Sequence, residues 1–258
     1  MSTKKVALIT GATSGIGKDI AKCFAINGYT IIIVGRDQTK LHKTAEEFRK
    51  QYGADVTTIL ADLAQPGAAE KVFEAVKGKN INVLVNNAGF ALSGEFAEQP
   101  TEDILELLRI NIESITNLTR LILPDMLDRR NGRILNIAST AAFQPGPNMA
   151  VFHATKSYVL SFSEAIRYEL KGTGVTISTL CPGPTDTNFH KRAQVTSSRL
   201  FKMGMMRSDD VARIAYNGLM DGDPLIIPGF KNRLSVILAK FAPRGIALKT
   251  MYKLNRTE

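Results

Sequence analysis

Hydrophobic positions fall in seven short runs along the chain: KVALIT, YTIIIV, VTTIL, INVLV, GRILNIA, GVTISTL and DPLIIP. Most are rich in β-branched residues and nearly continuous in apolar character. That pattern predicts strands buried on both faces rather than strands with one wet side. Between the runs, apolar residues recur at helical spacing over about 15–27, 38–51, 67–77, 101–128, 150–171 and 208–220. Regular alternation of strand and helix predicts an α/β fold, a doubly wound parallel sheet of Rossmann type with helices on both faces. Crossovers between parallel strands are expected to be right-handed. No repeat, linker or low-complexity segment interrupts the pattern, so 1–258 is expected to form one domain.

Bulk numbers narrow the class. The hydrophobic fraction of 44% and charged fraction of 22% are ordinary for a globular protein. No apolar run reaches the length of a membrane span, and the first apolar run leads into glycines rather than a cleavage site. Cys23 and Cys181 have no metal-ligand spacing, so no metal site is expected and a reduced, cytoplasmic setting is the simplest expectation. The net charge is +9, and the segment 231–258 carries seven basic residues against Glu258 alone. The rest of the chain is near balance, and no reading motif accompanies the basic tail, so nucleic acid is not an expected partner.

The chemistry begins at TGATSGIG, which follows the first predicted strand and opens the first predicted helix. Gly11, Gly15 and Gly17 allow a tight turn and let the backbone approach a pyrophosphate, whose charge suits a helix N-terminus. Glycine-rich turns also merely connect elements, but the strand–turn–helix position favours a dinucleotide. At the end of the second strand the chain reads VGRDQ. Arg36 there suits a 2′-phosphate through charge-assisted hydrogen bonds. NADP(H) is therefore the expected cofactor and NAD(H) the weaker alternative. Asp37 keeps that alternative open, since an acid near this point can bond a ribose 2′-hydroxyl.

Several motifs then fall in order: TGATSGIG, ADL at 61–63, NNAG at 86–89, Asn111 in INIES, Ser139 in NIAST, FHATK, and PGPTDT at 182–187. Through these the chain resembles the short-chain dehydrogenase/reductase family, from about Lys5 to Pro228. The resemblance implies that the glycine turn, with Thr13, Ser14 and Ile16, lies on the cofactor phosphates. It implies that Asp62 and Leu63 meet the adenine, and that Asn87, Ala88 and Gly89 line a ribose. Pro182, Gly183, Thr185 and Thr187 would close over the nicotinamide and phosphates.

The same resemblance implies hydride transfer between a nicotinamide and a carbonyl or alcohol carbon. A ketone oxygen gaining negative charge needs a hydrogen-bond donor and then a proton. In the family a serine orients that oxygen, a tyrosine delivers the proton, and a lysine one turn on lowers the tyrosine pKa and holds the ribose. An asparagine joins a water relay. Ser139, Lys156 and Asn111 match. The tyrosine position falls at Phe152, thirteen residues after Ser139 and four before Lys156. Phenylalanine keeps the ring and lacks the hydroxyl. His153 and Tyr158 lie about 100° and 240° around the helix from Phe152, off its face. Loss of a general acid typically costs about 10²–10⁴ in rate.

Three accounts of Phe152 compete: a change introduced to hold substrate and cofactor without turnover, a natural binding protein that has lost its chemistry, or a reaction that does not need the phenol. Retention of Ser139, Asn111 and Lys156 together favours the first. The expected parent activity is that of an NADP-dependent carbonyl reductase or alcohol dehydrogenase acting on an apolar ketone or 3-oxoacyl substrate. A catalytically silent NADP(H)-binding regulator or scaffold is the alternative.

Substrate choice is expected in 185–207, where Phe189, Leu200, Phe201, Met203, Met205 and Met206 offer a pliable apolar wall. In the basic tail, Leu234, Ile237, Leu238 and Phe241 recur at helical spacing. Packing of that stripe on the body of the protein is the expectation; the substrate entrance, a partner subunit and peripheral contact with an anionic membrane are the alternatives. The resemblance further implies a homodimer or homotetramer joined through the helices at 101–128 and 150–171.

Overall fold

The computed structural model describes residues 4–189 and 204–256. Six strands form in chain order along the expected runs: β1 (Val6–Thr10), β2 (Thr30–Gly35), β3 (Val56–Leu60), β4 (Ile81–Asn86), β5 (Gly132–Ile137) and β6 (Val175–Leu180). Two-residue strands follow, β7 (Thr185–Asp186), β8 (Met206–Arg207) and β9 (Leu225–Ile226). The main sheet has seven strands in the order β3-β2-β1-β4-β5-β6-β9, all pairs parallel. β7 pairs with β8 apart from it and joins the two ends of the segment expected to choose the substrate.

Each strand feeds both layers because its side chains alternate. Ala7, Ile9, Ile31 and Ile33 enter one core, with Phe24 of α1 (Gly15–Ile26), Phe48 of α2 (Gln38–Tyr52) and Val211 of α7 (Ser208–Asp221). Leu8, Ile32 and Val34 enter the opposite core. There they meet Val72 of α3 (Ala68–Val76), Leu107 of α4 (Thr101–Leu108), Leu118 of α5 (Ser114–Asp128) and Phe152 of α6 (Ala150–Glu169). Near-continuous apolar strands are thus the signature of a sheet covered on both faces.

A buried polar chain crosses the second layer. Asn86 on β4 donates to Thr119 Oγ1 (3.1 Å) and to Asn136 Oδ1 on β5 (2.8 Å). Asn136 in turn donates to Ser163 Oγ on α6 at 2.9 Å. Each link satisfies groups that would otherwise be costly in the interior, and the chain fixes α5 and α6 against the sheet.

Two expectations need correction. The single helix at 101–128 is broken: Arg109–Glu113 is a π-helical stretch between α4 and α5. Ser114 Oγ and Thr116 Oγ1 donate back to the carbonyls of Ile110 (2.7 Å) and Ile112 (2.8 Å) in that stretch. Such back-bonding competes with the regular ladder, and π-bulges recur at functional sites. The tail forms α8 (Phe230–Phe241) and α9 (Arg244–Asn255), but its expected stripe does not pack. Leu234, Ile237, Leu238 and Phe241 are exposed; Val236 on α8 and Ala247 and Met251 on α9 are the buried apolar residues instead. The cause is rotational, since Val236 lies on the opposite side of α8 from the stripe.

Helix α1 approaches the sheet closely at Gly17, where a Cβ would collide with Asn87 Nδ2 and stand 2.6 Å from the Gly11 carbonyl oxygen. Gly17→Ala is expected to lower stability by about 1–3 kcal/mol through overpacking. Chemical denaturation checks this; an unchanged midpoint and slope would show that α1 can shift without cost.

Candidate active site

β1 and β4 are neighbours in the sheet, while the chain from β1 runs outward to β2 and β3. This reversal of strand order opens a crevice at the carboxyl ends of the strands, the usual ligand position in such sheets. A cleft of ≈ 1430 Å³ lies there. Every residue predicted for the site lines it except Gly17 and Asn111. Gly17 serves helix–sheet packing, and Asn111 lies fully buried behind the wall.

At the glycine turn, Gly11 adopts a left-handed φ of 65°, and its amide donates to Val34 O at 2.9 Å. A Cβ there would come 2.9 Å from the Ala88 Cα. The Asn87 amide donates to the carbonyls of Thr10 (3.0 Å) and Gly11 (3.1 Å), and the Thr10 hydroxyl accepts from the Asn87 and Ala88 amides at 3.0 Å. Asn87 thus clamps the turn, with Thr10 as a partner that no motif singled out. Beyond the turn, Ser14 stands at the N-cap of α1 with no side-chain cap, and the first turn of α1 holds no acid. The cleft therefore meets an uncapped helix N-terminus with its positive dipole end, a fit for a diphosphate.

Farther along, Arg36 is half-exposed and pairs with Glu106 at 3.1 Å. Asp37 caps α2, accepting from the Lys40 amide at 3.0 Å and pairing with the Lys40 ammonium at 3.2 Å. These bonds from Lys40 hold its carboxyl below the usual carboxylate range. Lys40 and Lys43 line the same end of the cleft. Asp62 Oδ1 accepts from the Ala64 amide at 3.1 Å, which shapes the turn after β3, and Leu63 is buried beside it.

At the other end stand Ser139, Phe152 and Lys156. Ser139 Oγ accepts from the Ala141 amide (3.1 Å) and reaches Pro182 O at 3.4 Å, so β5 and the segment after β6 jointly orient it. Lys156 is buried and donates to Ile137 O at 2.9 Å. Burial pulls its pKa down to about 8, opposed by a smaller contribution from Cys181. The Cys181 thiol is itself pushed up to about 12 by burial, so it stays protonated near neutrality. Phe152 is buried, its ring 5.8 Å from that of Phe189, with Lys156 Nζ 5.8 Å from the Phe152 centroid. Pro182, Gly183, Thr185 and Thr187 form the facing wall.

Asn111 acts from behind. Its Oδ1 accepts from the Phe90 amide at 3.2 Å, and its Nδ2 donates to Phe90 O (3.0 Å) and Thr155 Oγ1 (3.1 Å). It ties the π-helical stretch to the strand end and to α6. Thr155, adjacent to Lys156, was not legible as a partner because threonine carries no motif there.

Neither His153 nor Tyr158 offers a free proton donor beside the Phe152 ring. His153 also faces the cleft, but its Nδ1 donates to Gln144 O at 2.8 Å, since a carbonyl can only accept. Its Nε2 is packed against Gly146, and burial lowers its pKa, which keeps the ring neutral near pH 7. Tyr158 is exposed and bonds Thr116 Oγ1 at 3.0 Å, away from the cleft. Of the apolar wall expected from 185–207, Phe189, Met205 and Met206 line the cleft; Leu200, Phe201 and Met203 lie outside the described residues.

Comparison with known proteins bears on the family and the fold. Residues 5–197 match the family model for short chain dehydrogenase. The chain is 40% identical over 185 residues to the uncharacterized oxidoreductase YvrD of Bacillus subtilis, covering 71% of this chain and 70% of that protein. It is 37% identical over 193 residues to the very-long-chain 3-oxoacyl-CoA reductase of Anas platyrhynchos, covering 72% of this chain but only 61% of the relative. A short-chain dehydrogenase from Sphingobium yanoikuyae solved with NADPH superposes with a TM-score of 0.83 at 31% identity, over 90% of this chain and 91% of the other. The bulky-bulky ketone specific alcohol dehydrogenase of Comamonas testosteroni gives a TM-score of 0.78 at 27% identity, over 92% of each chain. The chain belongs to the short-chain dehydrogenase/reductase family, whose members are oxidoreductases acting on small molecules.

The lowered Lys156 pKa has a signed consequence. Between about 8 and the unfolded value of 10.5, the unfolded chain binds the proton more readily than the folded one. Stability therefore rises with pH across that window, and the cost of burying the ammonium is fully present below it. Removal of that cost is worth on the order of 3 kcal/mol. In the free protein, the stability of Lys156→Met relative to wild type is expected to decline as pH rises through this window. Denaturation of both proteins at pH values spanning it checks the sign; a gap independent of pH would contradict it.

Proposed function

We propose that this chain is an NADP(H)-binding short-chain oxidoreductase of the carbonyl reductase type whose turnover is abolished or strongly slowed by Phe152. The single observation that supports this reading best is the buried Phe152 ring beside Lys156 in a cleft that keeps Ser139. A nicotinamide cofactor held in this cleft would supply the hydride chemistry between a carbonyl and an alcohol carbon. Ser139 Oγ would orient the substrate oxygen by turning its single proton from Pro182 O to that oxygen, while still accepting from the Ala141 amide. Lys156, charged below about pH 8, would hold the nicotinamide ribose and lower the pKa of a phenol one turn away. Phe152 has no proton to give, and His153 is neutral with its Nδ1 proton engaged by Gln144.

Gly11, Thr13, Ser14, Gly15, Ile16, Asn87, Ala88 and Gly89 are assigned to the diphosphate and ribose, and Asp62 and Leu63 to the adenine. Arg36 is assigned to the 2′-phosphate, with Glu106 released from its pairing. Support for NADP(H) over NAD(H) comes from the engagement of Asp37 in capping α2 and from the cations Lys40 and Lys43 at the same end. An apolar, bulky ketone or 3-oxoacyl group is the proposed substrate class. Phe189, Met205, Met206, Phe230 and Leu254 supply the apolar walls, and the relatives include a 3-oxoacyl-CoA reductase and a bulky-ketone dehydrogenase.

Two expected outcomes test the reading. Phe152→Tyr is expected to raise NADPH oxidation with bulky ketones or 3-oxoacyl thioesters by about 10²–10⁴-fold. A gain below about tenfold with every substrate accepted would reject the lost-acid account and favour a nucleotide-binding regulator. Arg36→Ala is expected to weaken NADPH binding by about 10–100-fold, as loss of a charged hydrogen bond implies, while NADH binding changes little. Equal weakening of both nucleotides, read by nicotinamide fluorescence, would reject the 2′-phosphate role.

A further inference from the structure

Helix α8 turns its most apolar face to solvent. At about 100° per residue, Phe230, Leu234, Ile237, Leu238 and Phe241 fall within an arc of about 100°. All five are exposed, Phe230 at 78% and Phe241 at 84%. Val236, on the other side of the helix, is buried. Cations flank the arc on both edges, Lys231 on one and Arg233 and Lys240 on the other. Arg233 bonds Ile227 O at 2.9 Å and Lys240 lies 5.4 Å from the Phe143 ring centroid, so both are fixed at the border of the apolar face. Helix α9 adds exposed Ile246, Leu248 and Tyr252, together with Lys249 and Lys253. No Asp or Glu occurs from Pro224 to Thr257.

We propose that α8 and α9 dock the protein on an anionic lipid surface, with the apolar arc of α8 entering the headgroup boundary. An apolar face bordered by cations, on a helix too short to span, is the form of an interfacial helix. Among the described residues no helix is long and apolar enough to cross a membrane, so the contact is peripheral. Charge decides between occupants. A second copy seated on the same face by a two-fold axis would set the cations bordering one α8 against those bordering the other, whereas an anionic surface attracts all of them. The docked face also adjoins the cleft: Phe230 and Lys231 at its N-terminal end share in lining the cleft, with Val236 and Ala239 of α8 and Leu254 of α9 beside them. Docking would set the cleft beside the lipid, where an apolar carbonyl partitions; that corollary alone rests on the proposed activity.

The test is co-sedimentation of the full chain with vesicles of phosphatidylcholine containing about 30 mol% phosphatidylglycerol, against pure phosphatidylcholine. Binding is expected to be at least about tenfold stronger to the anionic vesicles and to fall as salt rises from about 0.05 to 0.5 M. The double variant Leu238→Ser, Phe241→Ser lies outside the cleft and alters only exposed positions. It is expected to lose at least about tenfold in vesicle binding while its melting temperature moves by no more than about 2 °C. Equal binding to the two vesicle types, or no binding to either, overturns the proposal by a measurement on the wild type alone. Wild-type vesicle affinity in the double variant overturns it as well. So does dissociation of an oligomer by the double variant with vesicle binding unchanged, which would assign the face to a second copy. None of these readouts depends on turnover, so a failed activity assay leaves them standing.

Discussion

The Asn87 amide, clamped on the carbonyls of Thr10 and Gly11, holds together the point from which the rest of the site is built. It locks the end of β4 to the turn after β1, the place where strand order reverses. Because Gly17 has no side chain, α1 can press against that same amide. The uncapped N-terminus of α1 then faces the crevice at a fixed distance from the wall formed by Ala88 and Gly89. Binding a diphosphate needs no mobile cation if backbone dipoles are held this rigidly.

A second set of constraints fixes the reacting end. Ser139 is oriented from β5 and from the segment after β6, and Lys156 is tethered to the last carbonyl of β5. Asn111 braces α6 and the Phe90 backbone from a π-helical stretch that a regular helix would not provide. The Phe152 ring fills its space by packing on Phe189. Around position 152 the structure therefore sets a packed aromatic ring and a buried lysine, with no ionisable hydroxyl on the ring itself. A phenol at that ring would stand near an ammonium that burial makes costly to hold, which is what its lowered pKa reflects.

Much of this was legible in the sequence. Doubly apolar strands gave away a sheet covered on both faces, and the glycine turn between strand and helix located the cleft. Ser139, Phe152 and Lys156 lay at readable spacings. The less legible parts depend on partners distant in sequence. Thr10, Thr155 and the Ile137 carbonyl act through tertiary contacts that no local pattern encodes. The break at Arg109–Glu113 has no local signature, because the hydroxyls that accompany it, on Ser114 and Thr116, are common in ordinary helices. Helical period marks the tail as amphipathic, but period alone does not say which face meets the core; Val236 takes that place over Leu238 and Phe241.

Under the proposed function, the cleft is complete for binding and deficient in one proton donor. Parallel NADPH titrations of the wild type and Phe152→Tyr, read by nicotinamide fluorescence, test it most directly. The account predicts that both bind, with dissociation constants within about threefold of each other, because the ring's hydroxyl contributes to the transition state rather than to cofactor affinity. Absence of NADPH binding by the wild type, or tightening by more than about tenfold in the tyrosine variant, would contradict it.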